Sequence, residues 1–246
     1  MKRLRPRTIL ILKMGNTLSV LKSRKGDFED WIISGLGVSK ERVSVVDLPG
    51  GTPLPPVDGY AGIVVTGSHA MVTERRDWSE RAATWLRDAV TAAVPVLGIC
   101  YGHQLLAHAL GGEVGNNPKG REFGTVEVTL EDAAEDDALL GELPRRIRVH
   151  VGHTQSILRL PEGAVRLASN SWDANQAVRY GRSAWGVQFH PEFDSQVVRE
   201  YIGHYGPALA AEGQDIDNLL RRVEDAGIGR AILRQFFKLT GAKNGV

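Results

Sequence analysis

The feature that most constrains this chain is an alternation of short apolar runs with amphipathic stretches through its first 112 residues. "TILILKM", "RVSVVDL", "AGIVVTG" and "VPVLGI" read as strands, rich in β-branched residues and too short for helices. Between or after them, "FEDWIISGL", "WSERAATWLRDAV" and "YGHQLLAHALGG" carry apolar residues at helical spacing. "PGGTPLPP", after the second strand, is turn-forming and cannot be regular structure. Strands that are apolar on both faces, separated by helices, predict a parallel sheet covered on both sides: a three-layer α/β sandwich. From residue 122 the pattern changes. "EFGTVEVTL", "RIRVHVG", "AVRLASN", "NQAVRYG" and "AWGVQF" are strand-like with Gly or Asn punctuation, and predict antiparallel or mixed additions. Residues 195–246 read as a helical C-terminal extension, and the absence of repeats or composition breaks predicts a single domain over 1–246. The acidic run "EDAAEDD" reads as a solvated loop or helix start.

A net charge of +1 gives no reason to expect nucleic acid or an anionic membrane as a partner. The basic N-terminus precedes an apolar run that Lys13 cuts short, so it reads as a tail before the first strand rather than a signal peptide. Thr91 and Pro95 likewise break the other long apolar run, and no membrane span is expected. A single cysteine excludes an intrachain disulfide and fits a reducing cytoplasm. His150 and His153 fall on opposite faces of a strand with no third ligand in view, so no metal is expected. "GNTL" lacks the glycines and lysine of a phosphate loop.

That one cysteine, Cys100, sits in Gly98-Ile99-Cys100-Tyr101-Gly102, where a strand runs straight into a helix. So sharp a turn requires small residues two before and two after the central one. It places the thiol at a helix N-terminus, where the helix dipole favours negative charge on sulfur. It also aims the Tyr101 N–H at an oxyanion forming beside that sulfur. A cysteine nucleophile needs a base, and the base an orienting group. "WGVQFHPEF" offers both: His190 closes a strand, and Glu192, two residues on, shares its side of an extended backbone.

"GICYGHQLLAHALGG" together with "GVQFHPEF", 90 positions later, resembles the class I (triad-type) glutamine amidotransferases, over residues 61 to about 195. The likeness is greatest to the glutaminase domain of GMP synthases and its free-standing relatives. It implies a flavodoxin-like fold, no cofactor, and Cys100, His190 and Glu192 as the catalytic triad. It further implies an oxyanion hole from the N–H groups of Gly67 and Tyr101, and contacts from Gln104, Thr154 and Gln155 to the amino-acid end of L-glutamine. His69, beside the oxyanion loop, is a further candidate for substrate contact.

Two departures stand out. Gly67-Ser68-His69 replaces the Gly-Gly-Pro of many members, and His153-Thr154-Gln155 replaces His-Gly-Asp, putting an amide where an acid could pair with an α-amino group. No Gly-rich pyrophosphatase loop is found, so the chain by itself is not expected to make GMP. Three readings follow. The first is a glutaminase delivering ammonia to a separate synthetase subunit. The second is a γ-glutamyl peptidase using the same Cys-His-Glu triad on γ-glutamyl compounds. The third, a catalytically silent binding module, is opposed by the intact elbow and triad residues.

Overall fold

The computed structural model describes residues 8–242, so the basic tail expected at the extreme N-terminus and the last four residues of the helical extension lie outside the described residues. In chain order the elements are β1 (Ile9–Lys13), α1 (Ser19–Lys25), α2 (Phe28–Leu36), β2 (Val43–Asp47), β3 (Gly62–Val65), α3 (Asp77–Thr91), β4 (Val96–Ile99) and α4 (Tyr101–Ala109). There follow β5 (Glu113–Asn116), β6 (Glu122–Leu130), β7 (Arg146–His153), β8 (Gln155–Arg159), β9 (Val165–Ser169), β10 (Ala177–Tyr180) and β11 (Ala184–Val187). Three helices complete the chain: α5 (Ser195–Ala211), α6 (Ile216–Arg221) and α7 (Ile228–Leu239).

Among the described residues, nine strands form one mixed sheet in the order β2-β1-β3-β4-β11-β10-β9-β6-β7. The first five are mutually parallel, and from β11 onward each neighbour is antiparallel. Strand residues alternate between the two faces, as pleating demands. Ile9, Ile11, Val64, Leu97 and Ile99 enter the core under α2 and α7. Leu10, Leu12, Ile63, Val65 and Val96 enter the opposite core, under α3 and α4. With both faces covered, β1, β3 and β4 are buried along their whole length, which is why they read as apolar runs, whereas β2 at the sheet edge is only partly buried. The three-layer expectation therefore holds, with an antiparallel extension making up the far half of the sheet.

Three features depart from the sequence reading. β5 and β8 pair as a separate two-stranded ribbon. α1 forms with only Leu21 buried, too little apolar pattern to announce a helix. The acidic run is not uniformly solvated: Asp137 is buried, accepts a hydrogen bond from Trp185 Nε1 at 3.1 Å and pairs with Arg179 at 3.0 Å. No helix among the described residues is long and apolar enough to cross a membrane.

Candidate active site

β4 ends at Ile99 and α4 starts at Tyr101, so Cys100 alone turns the chain, at φ 50° and ψ −99°. A side-chain-bearing residue holds a positive φ only where its surroundings impose it. Here the Cys100 N–H donates to the Val187 carbonyl of β11 at 2.8 Å, and its carbonyl accepts from the Gln104 N–H at 3.1 Å. The flanking glycines are dictated by close approach. A Cβ on Gly98 would lie 2.5 Å from the Gly102 carbonyl oxygen, and one on Gly102 would lie 2.5 Å from that of Val65. The strand, the turn and the helix are therefore locked together, leaving the thiol 6% exposed at the bottom of a cavity.

His190 follows β11, the strand next to β4, and its N–H donates to the His150 carbonyl at 2.8 Å. Its Nδ1 donates to Glu192 Oε1 at 2.8 Å, which leaves Nε2 for the Cys100 thiol. The Glu192 carboxylate is wholly buried. Phe193 stacks on the imidazole with ring centroids 3.9 Å apart, fixing its plane from one side. Burial alone would push the His190 pKa down; Glu192 and Cys100 outweigh it and raise the group to about 10.

The remaining sequence candidates lie at or beside the cavity. Tyr101 lines the cavity, with its hydroxyl tied to Ser79 Oγ at 2.6 Å. Gly67 lies directly against the imidazole, since a Cβ there would come within 2.9 Å of His190 Cε1, and it is Ser68 that faces the cavity. Gln104 lines it too, but its side-chain amide donates to the Gln155 carbonyl at 2.6 Å and to Gln188 Oε1 at 3.0 Å. Gln155 is held by Thr73 Oγ1 at 2.7 Å and Asn116 Oδ1 at 3.2 Å. Thr154, at the bend between β7 and β8, borders the cavity. His69 reaches it as well, with Nε2 3.1 Å from the Tyr201 hydroxyl, and its pKa is lowered by burial and by the nearby charges of His204 and His190.

Several contributors escape sequence reasoning. His153 lines the cavity with both ring nitrogens engaged by oxygens: Nδ1 with the Gln155 carbonyl at 3.0 Å and Nε2 with Glu122 Oε2 at 2.8 Å. Two acceptors require two N–H donors, so this ring is an imidazolium. Burial works against that charge, but Glu122 raises the His153 pKa above its ordinary value. Glu122 also accepts from Gln176 Nε2 at 2.9 Å and Asn170 Nδ2 at 2.7 Å. Phe123, Tyr201 and Tyr205 supply an aromatic wall. Only the i, i+4 spacing of the two tyrosines, which puts them on one helix face, hints at it beforehand. Among the described residues no group of three potential ligands gathers to hold a metal ion.

The cavity, about 100 Å³, is lined by Cys100 and His190, by the polar residues Gln104, His153, Thr154 and Gln155, and by the aromatic residues Phe123, Tyr201 and Tyr205. A buried thiol, a carboxylate-held imidazole and polar lining groups together have the chemistry that acyl transfer from a small polar amide requires.

Residues 26–202 match the family described as "Glutamine amidotransferase class-I". A GMP synthase (glutamine-hydrolyzing) of Aeropyrum pernix is 35% identical over 199 residues, 80% of this chain and 35% of that protein. The chain therefore spans about a third of the length of that relative. One subunit of a GMP synthase (glutamine-hydrolyzing) of Archaeoglobus fulgidus is 34% identical over 157 residues, covering 61% of this chain and 79% of the relative. Gamma-glutamyl peptidase 5 of Arabidopsis thaliana is 30% identical over 148 residues, 59% of each chain. Among solved structures, a glutamine amidotransferase from Thermotoga maritima superposes with a TM-score of 0.76 at 23% identity, covering 97% of this chain and 100% of that one, which shows a shared fold. The chain belongs to the class-I glutamine amidotransferase family.

Proposed function

We propose that the chain hydrolyses the side-chain amide of L-glutamine through a cysteinyl thioester and passes the ammonia to a separate acceptor enzyme. Cys100 Sγ attacks the amide carbon as its proton passes to His190 Nε2, and the oxyanion is met by the N–H groups of Tyr101 and Gly67. His190 Nε2 gives its proton to the leaving nitrogen as the C–N bond breaks, releasing ammonia and leaving a γ-glutamyl thioester. His190 then takes a proton from water, whose oxygen attacks the thioester carbon; glutamate departs and the thiol is restored. Glu192 holds the imidazole in orientation throughout. Thr154 and Gln155 border the amino-acid end, with Gln104 fixing the start of β8 behind them.

The observation that carries this reading is the 2.8 Å bond from His190 to Glu192 beside a thiol held at positive φ. A local strain of this kind persists where the surrounding structure imposes it and is concentrated at functional sites. The likeness to a protein named as one subunit of a GMP synthase favours an ammonia acceptor on another chain, such as a synthetase working in the same cytoplasm. A second reading, γ-glutamyl peptide hydrolysis, is favoured by the aromatic lining of the cavity and by the likeness to a γ-glutamyl peptidase. The test is ammonia release from glutamine by the purified chain, alone and with candidate synthetases, using Cys100→Ala as blank. Release that depends on Cys100 and rises with an acceptor supports the proposal. Full activity in Cys100→Ala would falsify the chemistry.

A further inference from the structure

The aromatic lining of the cavity has no task in glutamine hydrolysis, whose leaving group is ammonia and carries no carbon. From His190 a run of rings leads to that lining. Phe193 stacks on His190, Tyr201 lies 5.1 Å from Phe193 between centroids, Tyr205 lies 6.2 Å from Tyr201, and Phe123 lies 5.0 Å from Tyr205. Phe123, Tyr201 and Tyr205 all border the cavity. Phe123 reaches close to the reacting centre: its ring stands 3.5 Å from where a Gly152 Cβ would be, and the Gly152 carbonyl is 4.0 Å from Cys100 Sγ. At the mouth of this wall is Arg121, its side chain 29% exposed. Glu212 holds it from one edge, accepting from Nη1 and, at 3.1 Å, from the Arg121 backbone N–H. Arg121 lines the cavity with guanidinium donors beyond the one given to Glu212, and a guanidinium is suited to a planar carboxylate.

We propose that Phe123, Tyr201, Tyr205 and Arg121 form a leaving-group subsite, and that the chain cleaves γ-glutamyl dipeptides whose second residue is aromatic. This rests on the Cys100 acyl-transfer reading above and adds to it the identity of the departing amine. The γ-glutamyl half lies among the polar lining groups as glutamine would. The isopeptide nitrogen faces His190, the aromatic side chain lies on the tyrosines, and its α-carboxylate meets Arg121. Sγ attacks the γ-carbonyl, the C–N bond breaks, His190 protonates the nitrogen, and a free aromatic amino acid leaves. Water then releases glutamate from the thioester. An aromatic ring buried on aromatic neighbours gains both from lost water contact and from ring geometry.

The test measures kcat/KM of the full chain for γ-Glu-Phe, γ-Glu-Gly, the C-terminal amide of γ-Glu-Phe, and L-glutamine, with Cys100→Ala as blank. The subsite predicts γ-Glu-Phe over γ-Glu-Gly by at least tenfold. Tyr205→Ala lowers kcat/KM at least tenfold more for γ-Glu-Phe than for glutamine, and Arg121→Gln abolishes the preference for γ-Glu-Phe over its amide. Tyr205→Leu, which keeps apolar bulk on α5, replaces the alanine variant if that variant does not fold. Turnover of glutamine with γ-Glu-Phe no better than γ-Glu-Gly overturns the subsite and leaves the Cys100 chemistry standing. No Cys100-dependent turnover of any of the four compounds overturns both.

Discussion

Replacing Glu122 by glutamine tests whether the site rests on a buried charge pair. Its carboxylate takes three donors, from His153, Gln176 and Asn170, and is almost wholly out of solvent. An amide of the same shape offers one oxygen and one NH₂, so at least one of those donors must face another donor. Worse, His153 keeps its proton only because a negative charge is present; without it, an imidazolium is buried unpaired or the ring loses its Nε2 bond. Removing one partner of a buried ion pair costs about 3–5 kcal/mol. For a chain of this size, each kcal/mol moves the melting temperature by about 2–4 °C. Glu122→Gln should therefore melt about 6–20 °C below wild type, followed by circular dichroism at pH 7. A double-mutant cycle with His153→Gln should show coupling above about 1 kcal/mol, since the two residues form one unit. A melting temperature within about 3 °C of wild type would mean that His153 is neutral and that the pair argument is wrong.

Two further predictions concern the buried histidines. The buried histidines divide by sign. Glu192 and Cys100 raise His190 to about 10 against the opposing effect of burial, so its contribution to stability is complete below its ordinary 6.5 and lost as pH climbs toward 10. Burial lowers His103 and His150 to about 4, so theirs is complete above 6.5 and lost as pH falls toward 4. Urea midpoints measured from pH 4 to 10 should trace a dome with its top near 6.5, and a steady rise across that range would contradict the assignments. Gly67→Ala places a methyl 2.9 Å from His190 Cε1, so it should lower kcat roughly 100-fold by displacing the imidazole, with little change in the far-ultraviolet spectrum. Unaltered kcat would show that the imidazole has room to move.

The elbow is legible in the sequence because its requirements are local: Gly98 and Gly102 are demanded by backbone atoms a few residues away or on the adjoining strand. The inner parallel strands β1, β3 and β4 are legible because burial on both faces leaves them no polar alternation to confuse. The His153–Glu122 pair is not, since its members stand 31 positions apart and meet only when β6 and β7 align Glu122 with His153. Tyr201 and Tyr205 belong to a helix whose place over the cavity depends on packing against β6 and β7. Gln104 looks from its position like a substrate ligand, one turn into the helix, yet its donors are taken by Gln155 and Gln188, which no spacing rule foresees. Residue types and offsets reveal the chemistry; what surrounds it is a matter of tertiary register.

The pairing of β4 with β11 also sets a timetable. Cys100 is bound to its corner by the Val187 carbonyl of β11, and His190 arrives just after that same late strand, 90 positions further along the chain. Contacts between segments so far apart form slowly, because a long loop must close before they are made. During refolding from denaturant, the β1–β4 layer can assemble with an ordinary, relaxed thiol at its open edge. The strained turn and the base then appear together when β11 docks. Recovery of rapid cysteine alkylation should accordingly trail recovery of helical signal, making the thiol a clock for the docking of β11 on β4.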